Sequence, residues 1–145
     1  LLAGAVVNPG ADDMDTEVRR MVEKIEAGAA FFQTQAVYDP VAFERFVVAT
    51  ERFRVPILAG VIVLKSATMA RNLNANLPGV YVPENIIRDM EAAGSPAEAS
   101  VEISSRIIRQ IRPMCRGHIS WPSVGSAGSR RSSPARASET PVRCW

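Results

Sequence analysis

The sequence predicts an α/β protein in which parallel strands alternate with amphipathic helices. Three observations predict it. Short apolar runs recur at 5–7, 29–37 and 56–64. The segments between them carry apolar residues at helical spacing. Capping residues and glycines stand where those helices should start and stop.

Each element follows from its residues. The run at 5–7 reads as a short buried strand. The next helix spans 13–27, with Met14, Val18, Met21, Val22 and Ile25 on one face. Gly28 is its expected C-terminal stop. A second strand runs over 29–37. Asp39 and Pro40 then start a helix, because Asp caps and proline suits the first helical position. Phe43, Phe46 and Val47 form its buried face. The run PILAGVIVL at 56–64 is wholly apolar, as a parallel sheet covered on both faces requires. Ser66 caps a helix carrying Met69, Ala70 and Leu73. A short helix covers 83–93 and ends at Gly94. Ser95-Pro96-Ala97-Glu98 is a capping box. It opens a last helix through Ile103, Ile107, Ile108 and Ile111.

Composition bounds the function. The 145 residues are 47% apolar and 22% charged, ordinary for a globular chain. A net charge of +2 gives no general case for nucleic acid or membrane as partner. No apolar run reaches the roughly 18 residues of a membrane span. The apolar N-terminus lacks a basic leader region, so a signal peptide is not expected, and with two widely spaced cysteines a reducing cytoplasm is the default compartment. It opens directly on a strand-like run, which suggests a start in mid-fold. Cys115 and Cys144 show no metal-ligand spacing, so neither a disulfide framework nor a metal site is expected.

The composition changes near Gly117. Residues 119–145 are rich in Ser, Arg, Pro and Gly, with no helical or strand period. Two regions are therefore expected: an ordered one over 1–117 and a low-complexity, disordered tail over 118–145. Three strands do not close a barrel, and a (β/α)8 barrel needs roughly 250 residues. The pattern alone leaves a small open α/β domain and a piece of something larger equally open.

Four segments decide between them: GAVVNP (4–9), KIEAGAAFFQTQAVYD (24–39), PILAGVIVLKSATMARNLN (56–74) and LPGVYVPENII (77–87). In this order and spacing the chain resembles the methylenetetrahydrofolate reductases over about 1–117. The resemblance implies the C-terminal part of a (β/α)8 TIM barrel. It implies reduction of 5,10-methylenetetrahydrofolate to 5-methyltetrahydrofolate by NAD(P)H through FAD, within one-carbon metabolism and methionine biosynthesis. The flavin would carry the chemistry and the protein would hold its reactive edge. A complete barrel would also be compatible with a homo-oligomer.

The resemblance carries three residues over. Gln35, at the end of the second strand, would contact folate and nicotinamide, since a primary amide both donates and accepts. Its bland alternative is a strand-end amide bonding nearby backbone. Lys24 would reach the FAD diphosphate as a point charge on a long stem; otherwise it is a solvated helix lysine. Asn8 would lie near the flavin, or serve as a turn residue before Pro9. Departures weaken the match. Glu23 stands where many relatives have a second basic residue, Val63 where close relatives have proline, and Ala67 near an aromatic that packs on folate in some relatives. The family's catalytic acid and its flavin-proximal Asp belong to earlier strands, so the catalytic residues are unknown here.

Other features carry little. His118 is the sole histidine and has no partner placed by sequence. Asp12, Asp13, Asp15 and Glu17 are explained by the positive end of a helix dipole. Arg130-Arg131-Ser132-Ser133-Pro134 is a short basic match common by chance. Relatives continue with a segment resembling GVHLMAVGWERRIPAILARAGL. The tail, back-translated with GC-rich codons, gives a similar string in a neighbouring frame. A single-base slip near 117–118 would account for it, and would remove the eighth strand. Two functions therefore stand. One is the reductase. The other is a non-catalytic remnant or small α/β binding module. Another folate or pterin barrel would lack the TQAVYD match.

Overall fold

The computed structural model describes residues 2–114 and, as backbone, 117–121. The elements are β1 (Ala3–Val7), α1 (Met14–Glu26), β2 (Ala29–Ala36), α2 (Pro40–Thr50), β3 (Ile57–Ile62), α3 (Ala67–Asn76), α4 (Glu84–Ala92), α5 (Pro96–Ile111) and β4 (Gly117–Trp121). All strand pairs are parallel, and the sheet order β1-β2-β3-β4 follows the chain.

The helix starts form as their sequences demand. The Asp13 carboxylate accepts from the Thr16 backbone N–H and Asp39 from those of Val41 and Ala42. The Ser66 hydroxyl accepts from the Met69 N–H. Gly28 follows α1 at φ +100°, the left-handed conformation that suits glycine at a helix end. At α5 the box is half made. Ser95 accepts from the Glu98 N–H, and the Glu98 side chain makes no return bond among the described residues.

The helices cover one face of the sheet. Register places Ala5 and Val7 beside Phe32 and Thr34, and Ile57 beside Phe32. These alternate with Gly4, Val6, Phe31, Gln33 and Leu58 on the other face. Phe32 and Thr34 are buried among Met21, Phe43, Phe46, Ile103, Ile107 and Ile111. Across the sheet, Val6 is 51% exposed, while Phe31, Gln33 and Leu58 are only half-buried. The expectation of a sheet covered on both faces is therefore corrected: one face is packed and the other is open.

A second correction concerns the end of the ordered region. Three strands and a disordered tail from 118 were expected, but residues 117–121 form a fourth strand. It pairs with β3 from Leu58↔Gly117 to Ile62↔Trp121. Tail-wide composition hid this, because Ile119 and Trp121 are good strand formers diluted by the Ser and Arg that follow. The rest of the tail, and with it the frame-slip reading, lies outside the described residues.

Candidate functional site

Parallel α/β proteins place their sites at the C-terminal ends of the strands, where the loops into the following helices meet. Here β1 ends before Asn8 and β2 ends after Gln35. Both were singled out in the sequence, and the fold brings them together. A β-carbon at Gly79 would lie 3.0 Å from Asn8 Nδ2 and 3.6 Å from Gln35 Cγ. Gly79 therefore seats on both side chains. Its φ of +83° is one that other residues rarely adopt.

Local chemistry fixes each member. The Asn8 backbone N–H donates to Glu17 Oε1 at 2.8 Å, and Asn8 Oδ1 accepts from the Gly10 N–H at 3.1 Å. Glu17 is thus a buried anchor from α1 rather than a mere helix-dipole residue, as the sequence reading had it. Gln35 sits in a bulge. The β2–β3 register passes from Gln33↔Leu58 to Ala36↔Gly60, so β2 holds one extra residue. Thr34 fills the resulting gap in the ladder, its hydroxyl accepting from the Gly60 N–H at 2.9 Å. The Gln35 amide makes no hydrogen bond with any described residue, which leaves both its donor and its acceptor open.

The segment 77–82 carries Gly79 across these strand ends as a strap. The Asn74 amide grips it twice. Nδ2 donates to the Val82 carbonyl at 2.9 Å, and Oδ1 accepts from the Val82 N–H at 2.7 Å. Val80 and Val82 are buried beneath it. Asn74, Gly79 and Tyr81 fall inside family-like strings, but the sequence assigned no site role to any of them. A glycine three residues after the end of α3 was the local signal for the strap.

Beside the strap lies a pocket of about 600 Å³. Its walls include the loop 9–12, Met14, residues 36–39, Phe43, Arg45, Gly79 and Tyr81. Tyr38 is buried there, with its hydroxyl donating to the Ile62 carbonyl at 2.7 Å. Burial pushes its pKa well above the usual tyrosine value. A pocket of about 690 Å³ at Thr50–Ile57 opens at the other end of the strands, away from the loops that build such sites.

Lys24 is placed differently. Its Nζ donates to the Val6 carbonyl at 2.7 Å, on a strand that ends the sheet, and it does not wall the pocket. The pocket's charged wall residues are Asp12, Asp39 and Arg45. One guanidinium against two carboxylates does not suit a diphosphate, and Glu23 beside Lys24 adds a further negative charge. The walls of this pocket thus do not by themselves suit the phosphates of FAD. Among them no group of His, Cys, Asp and Glu could hold a metal ion, and no helix is long and apolar enough to cross a membrane.

Four consecutive parallel strands alternating with helices, with side chains converging at the strands' C-terminal ends, define an α/β protein with its candidate site at the strand ends. The family model for methylenetetrahydrofolate reductase matches residues 5–120, and the chain belongs to that family. No curated protein matches it. Among solved structures it is similar to a protein from Clostridium thermocellum, described as uncharacterised and as binding two copies of 5-methyl-5,6,7,8-tetrahydrofolic acid. The TM-score is 0.64 at 24% identity, over 86% of this chain and 48% of that one. The chain thus spans about half the length of the structure it matches.

Proposed function

We propose that this chain is the C-terminal part of a (β/α)8 barrel whose reaction is the reduction of 5,10-methylenetetrahydrofolate to 5-methyltetrahydrofolate by NAD(P)H, with FAD as carrier. Its own share of that task is on the folate side. The carrying observation is the convergence of Asn8 and Gln35 on Gly79. Gln35 offers at a strand end an amide that no described residue pairs, able to donate to and accept from a pterin or carboxamide edge. Asn8, its backbone tied to Glu17, would brace that position and face the flavin of a complete barrel. Lys24 keeps two ammonium hydrogens beyond its bond to Val6, and would meet a phosphate only past the open edge of β1. FAD would otherwise be held by residues outside the described set. Family membership favours a cytoplasmic location.

A second reading is favoured by the poor fit to a diphosphate: a folate-binding module without reductase activity. The similar structure, described as binding a reduced folate, supports the ligand common to both readings. Titration of FAD into the full chain, followed by quenching of flavin fluorescence, tests the folate-side assignment that the two readings share. The expected result is no saturable FAD binding, with 5-methyltetrahydrofolate still bound. Saturable FAD binding with NAD(P)H-dependent bleaching of the flavin would show that this half holds the cofactor unaided and overturn the folate-side assignment.

A further inference from the structure

We propose that Tyr81 is a ligand-contact residue of the pocket beside the strap, its ring stacking on a planar nitrogen heterocycle. The inference rests on the folate reading above and adds the residue that reads the ring. The strap alternates in and out. Val80 and Val82 are buried, while Tyr81 between them is 65% exposed and walls the pocket. An aromatic ring left in water is an unused apolar surface. Here its backbone is also held in place. The double bond from Asn74 fixes the backbone of Val82, and Gly79 seats the other side of the tyrosine on Asn8 and Gln35. A ring carried on a fixed backbone loses less freedom on stacking, which favours binding. Phe43, Met14 and Pro9 supply apolar wall, and about 600 Å³ accommodates a bicyclic ring. Two sources carry such a ring: the pterin of a reduced folate and the nicotinamide of a dinucleotide.

The two tyrosines of the chain allow a direct test. Tyr38 is buried and its hydroxyl is bonded, whereas Tyr81 is open. Tetranitromethane at mildly alkaline pH should therefore nitrate Tyr81 and spare Tyr38, as read by peptide mass spectrometry on the full chain. Saturating 5-methyltetrahydrofolate should protect Tyr81 if the pterin is the stacked ring, and NADH should if the nicotinamide is; protection by either supports the proposal. Calorimetry on the same samples should show Tyr81→Leu weakening the protecting ligand about tenfold, with Tyr81→Phe close to wild type. Binding without protection, or with equal affinity in Tyr81→Leu, overturns the stacking role and leaves the folate reading intact. No binding of either ligand by the wild-type chain overturns both.

Discussion

At Gly79 a single missing β-carbon joins the strap to the strand ends. Alanine there would hold a left-handed backbone, costing about 1–2 kcal/mol, and would press on the Asn8 amide. Gly79→Ala should lower the melting temperature by roughly 5 °C. Gly94, whose β-carbon would meet nothing, is the control: alanine there should leave the melt nearly unchanged. Equal melts for the two variants would remove the strap's dependence on Gly79. Asp13 offers a pH-dependent check. Hydrogen bonds from the Thr16 side chain and backbone N–H hold its carboxyl below the usual value of 3.8. Its capping contribution is therefore complete above that value and is lost as pH falls through the lowered one. An NMR titration should find the Asp13 midpoint below 3.8, and Thr16→Ala should raise it. Gln35 and Asn8 were legible in the sequence because both stand at strand ends inside family-like strings. Glu17 was not, because its bond to Asn8 depends on where α1 packs rather than on spacing along the chain.

At the scale of elements, the bulge in β2 depends on one hydroxyl. Thr34→Val keeps the shape but leaves the Gly60 N–H without a partner in a buried ladder, at a cost of about 1–3 kcal/mol. Amide exchange should accelerate at Gly60 and spread to Val37, whose N–H donates to the Gly60 carbonyl. Unchanged exchange would mean that the bulge does not rely on Thr34. Helix starts were readable because Asp13, Asp39, Ser66 and Ser95 act on backbone only a few residues away. The bulge was not, since it arises from the register between two strands. The strap was hidden for a similar reason: Asn74 reads as an ordinary helix residue until Val82 folds back onto it. β4 was missed because tail-wide composition outweighed a five-residue strand.

At the scale of the whole molecule, the sheet has two ends. β1 presents one edge, met among the described residues by Lys24 at Val6, and β4 presents the other. Leu2 and Val6 are exposed on or beside that first strand, and an open apolar edge invites pairing with another chain. Sedimentation should detect concentration-dependent self-association of the full chain, reduced in Val6→Lys. A chain that stays monomeric at all concentrations would contradict the open edge. The alternation of strands and helices was legible along the sequence. The bareness of one sheet face was not, because apolar runs such as PILAGVIVL read alike whether one face or both are covered. The convergence of Asn8 and Gln35 tests the account most directly through calorimetry of 5-methyltetrahydrofolate against the full chain and its Gln35→Ala variant. Gln35 makes no internal hydrogen bond among the described residues, so the variant should melt with the wild type. Saturable binding by the wild type, weakened about tenfold in the variant, is the predicted result; no saturable binding, or equal affinity in both proteins, would contradict the account.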